Sequence, residues 1–188
     1  MARIIVTEFV SLDGVMEGPA GDNGFERGAW SFEFDRGEEG NQFKTDETMD
    51  AEALLLGRKT YEGFAAAWPE RDGEFADKFN EMPKYVISST LEDPGWNNTI
   101  VLSGNVEKEI AKLGDELEGD VIVHGSCQLV QALIAADLVD ELRLMVFPVV
   151  LGTGKKLFGD TDESKKLKLE SSDVAGDGVA LMVYRRDS

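Results

Sequence analysis

Apolar residues arrive along this chain in short runs, and between the runs polar and apolar positions recur every three to four residues. That alternation predicts strands interleaved with helices. Arg3 to Val10 is rich in β-branched and apolar residues and runs into Ser11-Leu12-Asp13-Gly14, a turn signal. Residues 17–40 mix glycines with acids and aromatics (Phe25, Trp30, Phe32, Phe34) and predict a long loop leading into a helix from Glu38 to Asp50. Loops of that length inside a compact domain are uncommon and often functional.

Ala53 to Leu56 predicts a short buried strand that stops at Gly57. Thr60 to Ala67 predicts a helix halted by Pro69, and 70–83 an acidic, aromatic connection. Strands are expected at Lys84–Ser88, Ile100–Ser103, Val121–His124 and Glu141–Phe147, with helices at Val106–Leu117 and Ser126–Ala136. The tail carries two β runs, Lys168–Val174 and Val179–Arg185. Ala175-Gly176-Asp177-Gly178 joins them as a hairpin. Strands alternating with helices imply crossovers and a mostly parallel sheet covered on both faces. The terminal hairpin adds an antiparallel part. No repeat, low-complexity tract or linker breaks the order, so one domain over residues 1–188 is expected.

Composition narrows the function. With 19 basic and 37 acidic residues the net charge is −18. Nucleic acid is therefore an unexpected partner, because following a phosphate backbone needs a basic face. Anionic membrane is disfavoured for the same reason. One cysteine and one histidine leave no internal disulfide and no Cys/His set for a metal. Glu8 and Asp13 interrupt the amino terminus before a signal peptide's apolar stretch. The longest apolar run, Leu144 to Leu151, falls far short of the ~20 residues of a membrane helix. A cytoplasmic protein is expected.

The strongest chemical signal is Leu54-Leu55-Leu56-Gly57-Arg58-Lys59-Thr60-Tyr61-Glu62. A buried strand ends in a glycine, two cations follow, and a threonine stands ready to cap the next helix. A helix amino terminus presents unpaired N–H groups and partial positive charge, which suits a phosphate. Arg58 can grip one with two parallel hydrogen bonds. The plain alternative is a capped helix start with two solvated cations. Val121-Ile122-Val123-His124-Gly125-Ser126 repeats the strand–glycine–hydroxyl pattern, and Tyr85-Val86-Ile87-Ser88-Ser89-Thr90 ends its strand in hydroxyls. Two such turns at strand carboxyl ends mark the rim where open α/β sheets bind ligands. The G-x-G-x-x-G fingerprint is absent, which excludes the standard Rossmann assignment.

Together these segments resemble the dihydrofolate-reductase-like fold. More closely, they resemble the family named after the C-terminal reductase domain of the bacterial riboflavin-biosynthesis deaminase-reductase. Ser11-Leu12-Asp13-Gly14 resembles its opening motif, and Pro148-Val149-Val150-Leu151-Gly152-Thr153-Gly154-Lys155-Lys156-Leu157-Phe158 its closing one. The likeness spans about residues 3–185, and a stand-alone member with no preceding deaminase domain is expected. The resemblance implies a three-layer α/β/α sandwich and an NADPH-dependent reductase. Hydride would go to a C=N or C=O carbon of a small heterocyclic or sugar-linked substrate, as in 5-amino-6-(5-phosphoribosylamino)uracil reductase. It gives Gly57, Arg58, Lys59 and Thr60 to the cofactor's phosphates, with Arg58 and Lys59 favouring a 2′-phosphate. Ser88 and Ser89 fall beside the adenosine half, and Gly125, Ser126 and Cys127 hold the pyrophosphate on a helix amino terminus. Leu12, Asp13 and Gly14 fall near the nicotinamide, with Asp13 orienting the proton donor. A homodimer is also implied.

Alternatives stay open at this level. Asp13 also reads as a turn former, His124 as a general acid or a packed strand-end residue, and Cys127 as a nucleophile or a helix-start thiol. A genuine dihydrofolate reductase needs a carboxylate on the first long helix, where Glu33, Asp35, Glu38 and Glu39 offer no clear match. A dinucleotide-binding protein without turnover is the other alternative.

Overall fold

The computed structural model describes residues 2–21 and 24–187, so Asp22 and Asn23 of the expected long loop lie outside the described residues. The elements are β1 (Arg3–Ser11), α1 (Gly37–Asp50), β2 (Ala51–Gly57), α2 (Arg58–Ala67), α3 (Glu74–Glu81), β3 (Lys84–Ile87) and β4 (Thr99–Leu102). They continue with α4 (Val106–Glu116), β5 (Asp120–His124), α5 (Cys127–Ala135), β6 (Glu141–Phe147), β7 (Leu167–Ala175) and β8 (Val179–Arg186). One eight-stranded sheet holds all strands in the order β4-β3-β2-β5-β1-β6-β8-β7. Strands β4 through β6 in that order run parallel, and β8 is antiparallel to both β6 and β7.

The central strands read as unbroken apolar runs because both of their faces are covered. In β1 the alternation is plain. Ile4, Val6 and Val10 pack with Ile110 and Leu113 of α4 and Leu129 and Leu133 of α5. Ile5 turns the other way, to Tyr61 of α2 and Phe79 of α3. Phe9 joins a cluster of Trp30, Phe147 and Phe43 of α1 on that same side. Helices on both faces give the expected three-layer sandwich of the dihydrofolate-reductase-like type.

Two local expectations need correction. The connection 70–83 contains α3, and the 17–40 loop contains a short 3-10 helix at Trp30–Glu33. Helix α3 is only two turns long, too short to be stable alone. It forms because Phe75 and Phe79 stack on Trp68, with ring centroids 5.4 and 4.6 Å apart. Phe75 and Phe79, four residues apart, give the segment an apolar helical face, and Trp68 supplies the partner that lets so short a helix hold.

Lys84 begins β3 and has no exposed surface. Its ammonium donates to the carbonyls of Asn80 at 2.6 Å, Met82 at 2.8 Å and Asn97 at 3.0 Å, and lies 4.4 Å from the centroid of the Trp96 ring. Burial pushes its pKa down to about 8, so at neutral pH it is still mostly a cation. One side chain thus closes the end of α3 onto the start of β3 and the 96–98 turn. Replacing it strands one buried and two part-buried acceptors at once. Lys84→Met is expected to cost about 2–4 kcal/mol in urea unfolding. A loss below about 0.5 kcal/mol would show that water reaches those carbonyls.

Candidate functional site

Strands β3, β2, β5, β1 and β6 are parallel, so their carboxyl ends share one rim. Neighbouring strands lie ~4.8 Å apart, so the rim from β3 to β1 spans roughly 15 Å. Along it stand, in order, Ser88 and Ser89 after β3, Gly57 to Thr60 after β2, Gly125 to Cys127 after β5, and Leu12 to Gly14 after β1. Helices α2 and α5 start on this rim, and neither has a side chain capping its amino terminus. The first-turn amides of Arg58, Lys59 and Thr60, and of Cys127, Gln128 and Leu129, have no intrahelical acceptor.

The β2 and β5 turns are tied to each other. The Gly57 N–H donates to Ser126 Oγ at 2.8 Å, and the Ser126 N–H donates to Thr60 Oγ1 at 2.9 Å. Ser126 Oγ donates in turn to the His124 carbonyl at 3.1 Å. The geometry requires left-handed backbone at Gly125 (φ 55°) and at Ser126 (φ 61°), unusual for a residue with a side chain. A Cβ on Gly125 would come within 3.0 Å of the Thr60 hydroxyl oxygen. This corrects one expectation. The amides of Gly57 and Ser126 and the hydroxyls of Thr60 and Ser126 are spent on the lock between turns, which leaves the helix first turns as the free donors.

Cations surround these turns. Arg58 is exposed and pairs with Glu62 one helical turn on, at 2.9 Å; Lys59 is exposed beside it. From the segment after β6, the Lys155 ammonium reaches Glu17 Oε1 at 3.1 Å while its amide donates to Glu17 Oε2 at 2.9 Å. Partial burial pushes the Glu17 carboxyl upward. The amide and ammonium of Lys155, and Lys59 farther off, outweigh it and hold the pKa below its ordinary value. A carboxylate thus already sits in the field of two lysines from opposite sides of the rim. At the β3 end, Ser88 Oγ accepts the Thr90 and Leu91 amides at 3.2 and 3.1 Å, and Ser89 is exposed.

Asp13 and Cys127 turn out to be hydrogen-bonded, and His124 to be packed among aromatic rings. Asp13 Oδ1 accepts from the Ser11 hydroxyl at 2.7 Å and the Leu151 amide at 3.0 Å, while Oδ2 accepts the Gly152 amide at 2.8 Å. Those bonds, the Ser11 hydroxyl's first, lower its pKa to about 2. As a carboxylate it clasps the β1 turn to the segment after β6. Leu12 projects beside it, mostly exposed. The Cys127 thiol donates to the Lys156 carbonyl at 3.2 Å, and burial raises its pKa, against a nucleophilic role. Burial drives His124 well below the ordinary imidazole value; it packs on Phe64 and Phe79 with Nε2 unpartnered, and is neutral.

The structure also brings in residues the sequence reading did not single out. Thr7 donates to Glu47 of α1 at 2.8 Å and accepts from the Lys44 ammonium at 2.7 Å; Lys44 and Glu47 are themselves paired. Thr7 lies directly opposite His124 in the β1–β5 register. Its neighbour Glu8 is buried on the other face of the strand. The one available signal was Thr7-Glu8 inside an otherwise apolar strand. Helix α1 gives none, because its polar residues are spread all round it.

The Asp13 clasp has a measurable consequence. Asp13→Asn is expected to speed amide exchange at Leu151 and Gly152 while leaving the sheet protected. In the wild type, a folded pKa below the usual 3.8 means the clasp holds fully above that value and weakens as pH falls toward 2. Unchanged exchange at both amides would remove the clasp.

Comparison with known proteins fits this geometry. The family model described as the RibD C-terminal domain matches residues 2–181. The uncharacterised protein YyaP of Bacillus subtilis is 31% identical over 196 residues, covering 97% of this chain and 94% of YyaP. Among solved structures, a provisionally assigned riboflavin-biosynthesis protein from Shewanella superposes with a TM-score of 0.81 at 23% identity, over the whole of both chains. Dihydrofolate reductase from Enterococcus faecalis, solved with NADP(H), superposes with a TM-score of 0.59 at 16% identity, over 99% of this chain and 97% of that one. The fold is therefore dihydrofolate-reductase-like, and the chain belongs to the RibD C-terminal domain family.

Proposed function

We propose that the protein is an NADPH-dependent reductase that delivers hydride to a C=N or C=O carbon of a small heterocyclic or sugar-linked substrate. The observation that carries this reading is the order of the turns along the rim. Hydroxyls after β3 suit an adenosine, uncapped helix starts after β2 and β5 suit a pyrophosphate, and the β1 turn remains for the nicotinamide. Family membership supports reduction, and the likeness to an NADP(H)-bound dihydrofolate reductase supports the nicotinamide cofactor.

The donor set fits such a group. Two helix amino termini favour the pyrophosphate through oriented amides, and Arg58 and Lys59 stand where a 2′-phosphate needs cations. When bound, the nicotinamide supplies the hydride. The chain's own residues hold the ends and shape the site. The Ser126–Thr60 lock fixes the spacing of the two helix starts, and Asp13 fixes the β1 turn against the segment after β6. The rival of a genuine dihydrofolate reductase is weakened at α1. Its one buried carboxylate, Glu47, is tied to the Thr7 hydroxyl and the Lys44 ammonium.

The expected dimer has a surface suited to it. On the side of the sheet where α5 lies, a groove of about 320 Å³ runs from Leu12 and Gly14 of the β1 turn across β6 and β8 to Leu144, Phe158, Met182 and Tyr184, with no carboxylate among its lining residues. On a chain of charge −18 such an uncharged apolar face is where a second copy can approach. Phe158 is half exposed there. Light scattering is expected to find a dimer for the wild type and a monomer for Phe158→Glu. A monomeric wild type would sink this part of the reading.

Cofactor choice is tested at Arg58. In fluorescence titration Arg58→Ala is expected to weaken NADPH by about 10- to 100-fold and NADH much less, because only NADPH carries the extra phosphate. Equal losses would remove Arg58 from the 2′-phosphate. Tight binding with no oxidation of NADPH by any heterocyclic acceptor would instead favour the binding protein without turnover.

A further inference from the structure

Glu8 has no explanation in the fold or in the proposed reaction. It is 4% exposed, and its Oε1 has no hydrogen-bond partner. It lies on the face of β1 shared by Ile4, Val6 and Val10, the face covered by α5. The Gly125 amide, at the turn that leads into α5, lies close enough to its carboxyl group to favour the charged form. A carboxylate stripped of water and left with an empty lone pair is among the costliest groups a core can hold. Polar strays of this kind are retained where they serve a site.

The charged groups around Glu8 do not rescue it as an anion. Lys44 of α1 pulls its pKa down and Glu47 pushes it up, but Lys44 spends its ammonium on Thr7 and Glu47. On the α5 side, Glu8, Glu17 and Lys155 all act on the Cys127 thiol, and Lys155 is already paired with Glu17. His124, the residue before Gly125, is neutral and turned to the opposite face. Burial wins, and the carboxyl group titrates well above its ordinary value.

We propose that Glu8 keeps its proton in the working protein and that this proton is what lets the α5 end of the rim take an anionic dinucleotide. The inference rests on the cofactor reading above and adds to it a positioning residue and a proton linkage. Gly125 stands two residues from Cys127, whose amide opens the first turn of α5. An ionised Glu8 beneath that turn would oppose a pyrophosphate through protein, where little solvent screens the repulsion. As a neutral acid, Glu8 still faces the Gly125 amide at the turn. Among the described residues, no group pairs with its Oε1. Binding above the pKa of Glu8 must then take up one proton, and the solvent supplies it.

Calorimetric titration of the full chain with NADH between pH 5.5 and 8.5, in two buffers of different ionisation heat, tests this directly. NADH is the cleaner ligand, since a 2′-phosphate has its own titration near pH 6. Expected for the wild type is an affinity that falls by up to about tenfold per pH unit above the pKa of Glu8, with one proton taken up. Glu8→Gln keeps a neutral acceptor for Gly125 and is expected to bind as tightly as the wild type at pH 5.5, with no slope. The same slope in both proteins, or a wild-type affinity that falls with pH without proton uptake, overturns the proposal while leaving the cofactor reading intact. If neither protein binds NADH or NADPH at any pH, the cofactor reading falls and the linkage with it.

Melting of the ligand-free proteins gives a second readout. A carboxyl whose folded pKa is raised loses stability as pH climbs from the ordinary carboxylate range through that folded pKa. Glu8→Gln is therefore expected to melt above the wild type at pH 8 and to lack that decline. A variant that melts lower at pH 8 would mean Glu8 is an ionised, paired group, and the proposal would be wrong.

Discussion

The site depends on the lock between the turns after β2 and β5. Parallel strands deliver their carboxyl ends to one rim, but that alone fixes only the strand spacing. The crossed bonds, Gly57 to Ser126 and Ser126 to Thr60, set how two helix starts face one another. They also explain the left-handed Ser126, since only that backbone turns its amide and its hydroxyl back toward the β2 turn together. Strain of this kind persists where surrounding contacts over-determine it. Here the reward is two aligned sets of free amides.

Charge imposes a second constraint. A chain of −18 repels a dinucleotide at long range, so recognition has to be local. Within a Debye length of ~8 Å, the nearest groups decide. At this rim those groups are Arg58, Lys59 and Lys155 together with oriented backbone, and the carboxylates nearby are engaged: Glu62 by Arg58, Glu17 by Lys155. Exposed pairs of this sort contribute ~1 kcal/mol or less. Their partners can be given up to a better anion at small cost, whereas the buried Lys44–Glu47 pair cannot.

Much of the architecture was legible because the central strands announce themselves. Ala53 to Leu56 and Val121 to Val123 are fully buried runs, and each ends in a turn whose glycine and hydroxyl residues stand just where the lock needs them. The hairpin at 175–178 was equally plain. Helix α3 was less plain although Phe75 and Phe79 stand at helical spacing, because eight residues are too few to hold a helix without Trp68. The site was legible in position and not in detail. Sequence placed Gly57, Thr60, Gly125 and Ser126 on one rim, yet nothing in it distinguishes a donor kept for a ligand from one spent on a neighbouring turn. Asp13 shows the same limit: an aspartate before a glycine looks alike whether it orients a proton donor or clasps two amides.

The hardest residues to read were the polar ones that break an apolar pattern. Thr7 and Glu8 sit in the middle of β1, where Val or Ile would pack more cheaply, and their faces lead to opposite layers. Thr7 is satisfied by α1 through Lys44 and Glu47. Glu8 is left with one oxygen unmatched beneath the start of α5. A fold that needed only stability would have no reason to keep that arrangement, because an apolar isostere relieves it without loss. The cost is laid down inside β1, one strand away from the turn that opens α5. Physical expense at that position is best understood as function, and it locates the working part of the rim more narrowly than the glycine turns do.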